Sequence, residues 1–151
     1  MAVSEAELEV YRQARQGQDK YIYFLLAAVG ASIAFALNQS KDLALDASQW
    51  PLGLAVACWS GSFLAGCGRL LLQEQMLDLN QSLIRFKNGS HELLSDPREI
   101  PFAVEATMAS VKTVNDKLGR RARWQYRLLL AGGFFYIAWH VYEMYLRSLA
   151  A

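Results

Sequence analysis

Three long stretches of this chain carry no Lys, Arg, Asp or Glu: Tyr21 to Ser40, Ala47 to Gly68, and Leu128 to Tyr142. As an α-helix rising ~1.5 Å per residue, about 20 residues cross the ~30 Å hydrocarbon core of a bilayer. The first two stretches reach that length. The third reaches about 19 residues if Glu143 lies among the headgroups and the span ends near Leu146. In lipid a backbone must satisfy its own hydrogen bonds, which leaves helices or closed barrels. The pattern predicts an all-α membrane protein with three transmembrane helices.

The cations between these stretches choose a side. Residues 1–20 hold three Lys or Arg and residues 69–127 hold ten, whereas the 38–49 loop has Lys41 alone and the C-terminal tail Arg147 alone. The positive-inside rule puts the N-terminus and the 69–127 segment in the cytoplasm and the C-terminus outside, in an inner (plasma) membrane. Aromatic residues that favour the membrane interface agree with three crossings: Tyr21 and Tyr23, Trp50, Trp124 and Tyr126, then Trp139, Tyr142 and Tyr145. Ala34-Phe35-Ala36 has the form of a signal-peptidase site, but the long, acid-rich lead before it is unlike a secretory signal, so an uncleaved first span is expected.

Four segments follow: a cytoplasmic N-terminal helix (1–20) with a weak Leu8, Tyr11, Ala14 stripe, transmembrane helices 1 and 2 (21–73), a cytoplasmic helical hairpin (74–123), and transmembrane helix 3 with an external tail (124–151). Leu72, Met76, Leu79, Leu83 and Phe86 repeat at heptad spacing. Asn88-Gly89-Ser90 ends that helix with turn chemistry. Asp96 precedes a helix start, and Pro101 places the main second helix from about that residue. Val104, Met108, Val111, Val114 and Leu118 form its stripe, so the two arms pair as an antiparallel hairpin or meet copies of themselves.

Small residues dominate the second span. Gly53, Ala57, Gly61 and Ala65 recur every fourth residue and form a helix-packing face, within the chain or between subunits. On another flank, Ser62, Gly66 and Arg69 would line a lumen or gate if several copies surrounded an axis, with one Arg69 per chain making a cationic ring. Cys58 and Cys67, nine positions apart, lie on opposite faces of one helix and cannot bridge within it.

Catalytic constellations are scarce: there are two histidines, no Cys/His metal-ligand spacing, no Gly-rich phosphate loop and no nucleophile elbow. Neither a cofactor nor a metal is expected, and a net charge of +1 gives no reason to expect nucleic acid. His140 and Glu143 share a helix face and form a candidate ion or proton site, or an interfacial hydrogen-bonded pair. Arg120, Arg121 and Arg123 make a basic cluster suited to lipid headgroups.

Arg85 and His91, with Asn88 between them, resemble the Arg-x(4–6)-His motif of HEPN ribonucleases. The resemblance covers seven residues and departs from the family form at Phe86, where a polar residue usually follows the arginine. It implies RNA cleavage by Arg85 and His91 across a dimer interface. In architecture alone, the chain is similar to bacterial anti-phage effectors that perturb membranes with two or three spans and a cytoplasmic stalk.

The leading expectation is therefore a non-enzymatic homo-oligomer with channel, pore or membrane-perturbing activity, regulated through the cytoplasmic hairpin. Its alternative is a membrane-anchored helical scaffold or sensor without a pore. The expected partners are membrane lipids, further copies of the chain, and a soluble cytoplasmic protein at residues 69–123.

Overall fold

The computed structural model describes residues 5–41, 47–92 and 96–150, without the side chains of 6–8, 11, 14, 47 and 150. The described residues form three long helices: α1 (Glu5–Ser40), α2 (Trp50–Lys87) and α3 (Ile100–Ala150), with short 3-10 turns at Ala47–Gln49 and Pro97–Glu99. At ~1.5 Å per residue they are about 54, 57 and 77 Å long, well beyond the ~30 Å of a bilayer core. The proposed segment boundaries near residues 20, 73 and 123 fall inside continuous helices. The side chains of the Leu8, Tyr11, Ala14 stripe lie outside those described.

Local chemistry accounts for the helix ends. Pro51 sits in the first turn of α2, where its missing N–H has no intrahelical acceptor to lose. At the far end, Ser90 N–H donates to the Arg85 carbonyl (3.0 Å) and Gly89 N–H to Phe86 (3.1 Å). This is a Schellman motif, and it requires the left-handed φ of 65° that Gly89 supplies. The Asp96 carboxylate accepts from Arg98 N–H at 2.9 Å, so the acidic cap sits on the Pro97–Glu99 turn. Helix α3 follows from Ile100, one residue before the expected start.

Helices α2 and α3 pair antiparallel along most of their length, while α1 leans mainly on α2. Val29, Ala36, Leu52, Ala55, Trp59 and Trp139 form the buried core. Trp139, expected at an interface, is 4% exposed because it is enclosed in the cluster with Leu52, Ala55 and Trp59 of α2 and Val29 and Ala36 of α1. The Trp59 indole lies flat over Gly132: a Cβ at Gly132 would stand 2.5 Å from Cδ1 and Nε1 of the ring. Its Nε1 donates to the Leu129 carbonyl at 3.3 Å, which satisfies an indole N–H that would otherwise be stranded.

Beyond that core the hairpin stripes meet, with one change of register. Thr107 and Val114 are buried on α3, whereas Met108 is 48% exposed. Thr107 can be buried because its hydroxyl donates to the Ala103 carbonyl at 2.7 Å.

Two stretches are long and apolar enough to cross a membrane, Arg15–Ser40 in α1 and Trp50–Lys87. Only 22% and 28% of their apolar windows are buried, unlike the core helix of a water-soluble fold. The charge-free 128–142 part of α3 does not reach the same apolarity; Tyr136, His140 and Tyr142 dilute it.

Candidate functional site

Gln125, which sequence reasoning overlooked, is the hub of the interior. It is fully buried on α3, and its backbone carbonyl accepts from Ser62 Oγ at 2.8 Å. Its side-chain Oε1 accepts from Arg69 Nη1 at 2.9 Å. Gly66 makes room for it, since a Cβ there would stand 2.6 Å from Gln125 Nε2 and 2.7 Å from Leu26 Cδ2. No local pattern singles it out, because it sits among Arg121, Arg123 and Arg127 and between Trp124 and Tyr126.

Ser62, Gly66 and Arg69 thus converge on one residue of α3 inside the chain. With Ser62 at 0% exposure, lining a lumen would require α2 and α3 to part. The small-residue face divides. Gly61 packs 3.2 Å from Leu128 Cδ1, if given a Cβ, and Ala65 is half-buried, while Gly53 and Ala57 are exposed.

His140 and Glu143 are turned apart. His140 is exposed and stacks beside Tyr136, centroids 6.5 Å apart. Glu143 instead ties α3 to the turn before α2: its Oε1 accepts from Ser48 Oγ (3.1 Å) and Gln49 Nε2 (3.0 Å), and Arg147 stands 3.9 Å from Oε2. Arg120, Arg121 and Arg123 are all exposed, and the Arg121 guanidinium lies across Gly68, where a side chain would displace it. Arg85 is exposed, and His91 stacks on Phe86 with ring centroids 3.9 Å apart.

Beyond Arg69 the three helices diverge around a groove of about 630 Å³. Each helix contributes a cation: Arg15 from α1, Arg69 from α2 and Lys112 from α3. Gln18, Gln73, Asn80 and Asn115 add amides, and Met76, Met108, Val111 and Leu118 an apolar wall. No Asp or Glu lies among the described lining residues. Asp19 adjoins them, accepting from Gln73 Nε2 at 3.4 Å. Among the described residues there is no cluster of His, Cys, Asp and Glu able to hold a metal. The groove can bind and orient a ligand, and its described lining residues include no nucleophile paired with a base. Comparison with protein families, with curated proteins and with solved structures finds no match to this chain.

Proposed function

We propose that this protein is a multi-pass inner-membrane protein whose α2–α3 hairpin stands in the cytoplasm as an anchored sensing and interaction module. The observation that carries this reading is an inverted polarity. Ser62 and Gln125 are fully buried, while Phe24, Leu64 and Phe134 on the three helices are 68%, 70% and 68% exposed. Water would penalise that much open apolar surface; lipid favours it, and forces polar groups inward onto one another. The accessible surface is 10921 Å², against roughly 7,700 Å² for a compact soluble chain of this mass, so the helices are poorly covered by the chain itself.

In this arrangement residues 128–146 of α3 form the third crossing and the ten cations of 69–127 hold the arm inside. The arm projects ~28 Å beyond Arg69 if α2 stays helical to Lys87. Leu77, Ile84 and Phe102 are exposed on it, a surface suited to a soluble partner. Single-cysteine labelling in intact and permeabilised cells, in a background lacking Cys58 and Cys67, tests the layout. Ser90→Cys should react only after permeabilisation and Ser148→Cys without it. The opposite pattern, or recovery of the chain without detergent, overturns the reading.

A second reading, a homo-oligomeric pore, draws on the exposed Gly53 and Ala57, which offer a close-packing face to another copy. Mass measurement in detergent decides it: a monomer ends it.

A further inference from the structure

From the groove we infer that the arm carries a binding site for an elongated organic phosphate: an anion whose phosphate meets the cations and whose apolar or aromatic part lies against the methionine wall. The inference deepens the sensing reading above and rests on it only for the side of the membrane that supplies the ligand.

Three features of the groove point to this chemistry. Its size, about 630 Å³, falls in the range of ~300–1,000 Å³ typical of small-molecule sites. Its cations arrive one from each helix, with no carboxylate among the described lining residues, so the lining itself carries positive charge only. On its rim the Asp19 carboxylate accepts from Gln73 Nε2, which holds it beside Gln73 and outside the lining.

Arg69 supplies an independent sign. Its Nη1 is held by Gln125, yet its Nε is buried without an acceptor. A phosphate oxygen entering at this end of the groove would supply one, and guanidinium with phosphate is among the stronger charge-assisted pairs. Asn80 lies eleven residues farther along α2, about 16 Å from Arg69 along the axis. On α3, Lys112 lies nine residues before the Arg121 that covers Gly68, about 14 Å along the axis, so it belongs to that distal part, as does Arg15, which precedes the Gln73-bound Asp19 by four residues. Cations therefore stand at the Arg69 end and farther out along the arm, with Met76 on α2 between them and Met108 one turn beyond Lys112, both soft, adaptable surfaces for a non-polar body.

The ligand would also have a mechanical effect. Arg15 and Gln18 are on α1, which otherwise leans chiefly on α2. An anion bridging Arg15 to Lys112 would draw the free end of α1 onto α3 and order it, a change a partner on the arm could read.

The test uses the full chain in nanodiscs of phosphatidylcholine, read by amide hydrogen exchange across residues 12–20 and 108–118. One arm adds ATP as a soluble phosphate ester; the other replaces part of the lipid with phosphatidylglycerol and adds no ATP. Protection of both segments by ATP alone assigns a soluble ligand, and by phosphatidylglycerol alone a lipid one. The Arg15→Gln/Lys112→Gln variant should bind about 25-fold more weakly, the effect of two cations at ~1 kcal/mol each and ~1.4 kcal/mol per factor of ten. Arg120→Gln/Arg123→Gln, outside the groove, should bind as the parent does. Met108→Trp, a change at an exposed side chain, fills the apolar wall and should also abolish protection. Protection in neither arm, or protection undiminished in both groove variants, overturns the inference. Cysteine labelling at Ser90 reports separately on the membrane layout, so either conclusion can fail without the other.

Discussion

Replacing Gly132 by alanine should separate α2 from α3, whereas the same change at Gly133, one residue on, should not. At Gly132 the new methyl would lie 2.5 Å from two atoms of the Trp59 ring, and at Gly133 it would meet nothing within 4 Å. Ordinary carbon contacts lie near 3.5–4.0 Å, so the first methyl demands a retreat of about 1 Å. Trp59 cannot yield it easily, being 5% exposed and tied through Nε1 to the Leu129 carbonyl. Overpacking of this kind costs about 1–3 kcal/mol. Both substitutions gain the same helix preference of alanine over glycine, up to ~1 kcal/mol, so it cancels in their difference.

Gly132→Ala should therefore be less stable than Gly133→Ala by about 1–3 kcal/mol. Titrating both variants with SDS in mixed micelles, followed by helical circular dichroism, measures that difference. Trp59→Leu removes the ring, and in its background Gly132→Ala should become harmless, giving a coupling energy equal to the clash. Equal stability of the two alanine variants, or additivity with Trp59→Leu, would refute the packing described for this pair.

Other substitutions probe the polar interior and its outer tie. Gln125→Ala and Gln125→Leu both remove the acceptor held by Arg69 and the buried Nε2 that has no partner, but alanine empties a fully buried site whereas leucine fills the volume. Leucine should be the milder change, with the lost hydrogen bond worth about 1–2 kcal/mol; an alanine variant as stable as leucine in the same SDS titration contradicts this. Glu143→Ala leaves Ser48 and Gln49 without their shared acceptor. Amide exchange should quicken at residues 47–50 and stay unchanged at 60–70, and a uniform change across both would show that the tie is not local. Asp96→Ala loses its bond to Arg98 N–H and should cost about 0.5–2 kcal/mol of local stability, read as faster exchange at 97–102.

How far the sequence foretells this fold differs from element to element for physical reasons. Gaps in charge mark α1 and α2 because a long helix with no charge has few other uses. Asn88-Gly89-Ser90 announces the Schellman turn because φ of 65° almost demands glycine. The choice of Thr107 over Met108 for the buried stripe was illegible, since hydropathy favours Met and only a hydroxyl bonded back to Ala103 reverses the preference. Small residues misled in the opposite sense. In α2, Gly53 and Ala57 of the expected packing face are exposed, and a Cβ at Gly53 would meet nothing within 4 Å. Close approach is instead spent at Gly66, Gly68 and Gly132, under Gln125, Arg121 and Trp59, and each of those partners lies on another helix. No spacing rule within one helix can reveal which large residue a neighbour will bring.

Arg69 joins the two halves of the molecule. Its Nη1 belongs to the buried polar hub and its other face to the groove. In an apolar surrounding, the hub fixes the rotation of α2 against α3, because turning either helix would strand Ser62 Oγ and Gln125 Oε1 away from partners, at a cost no lipid contact repays. The arm has no such lock: Met108 is half open and the groove is lined by side chains from all three helices with few bonds between them. Motion is thus easier on the arm than within the apolar segments. An anion that captured Arg69 from the groove side would compete for the guanidinium that also steadies Gln125, and this shared side chain is the shortest physical route from a ligand on the arm to the packing of the apolar helices.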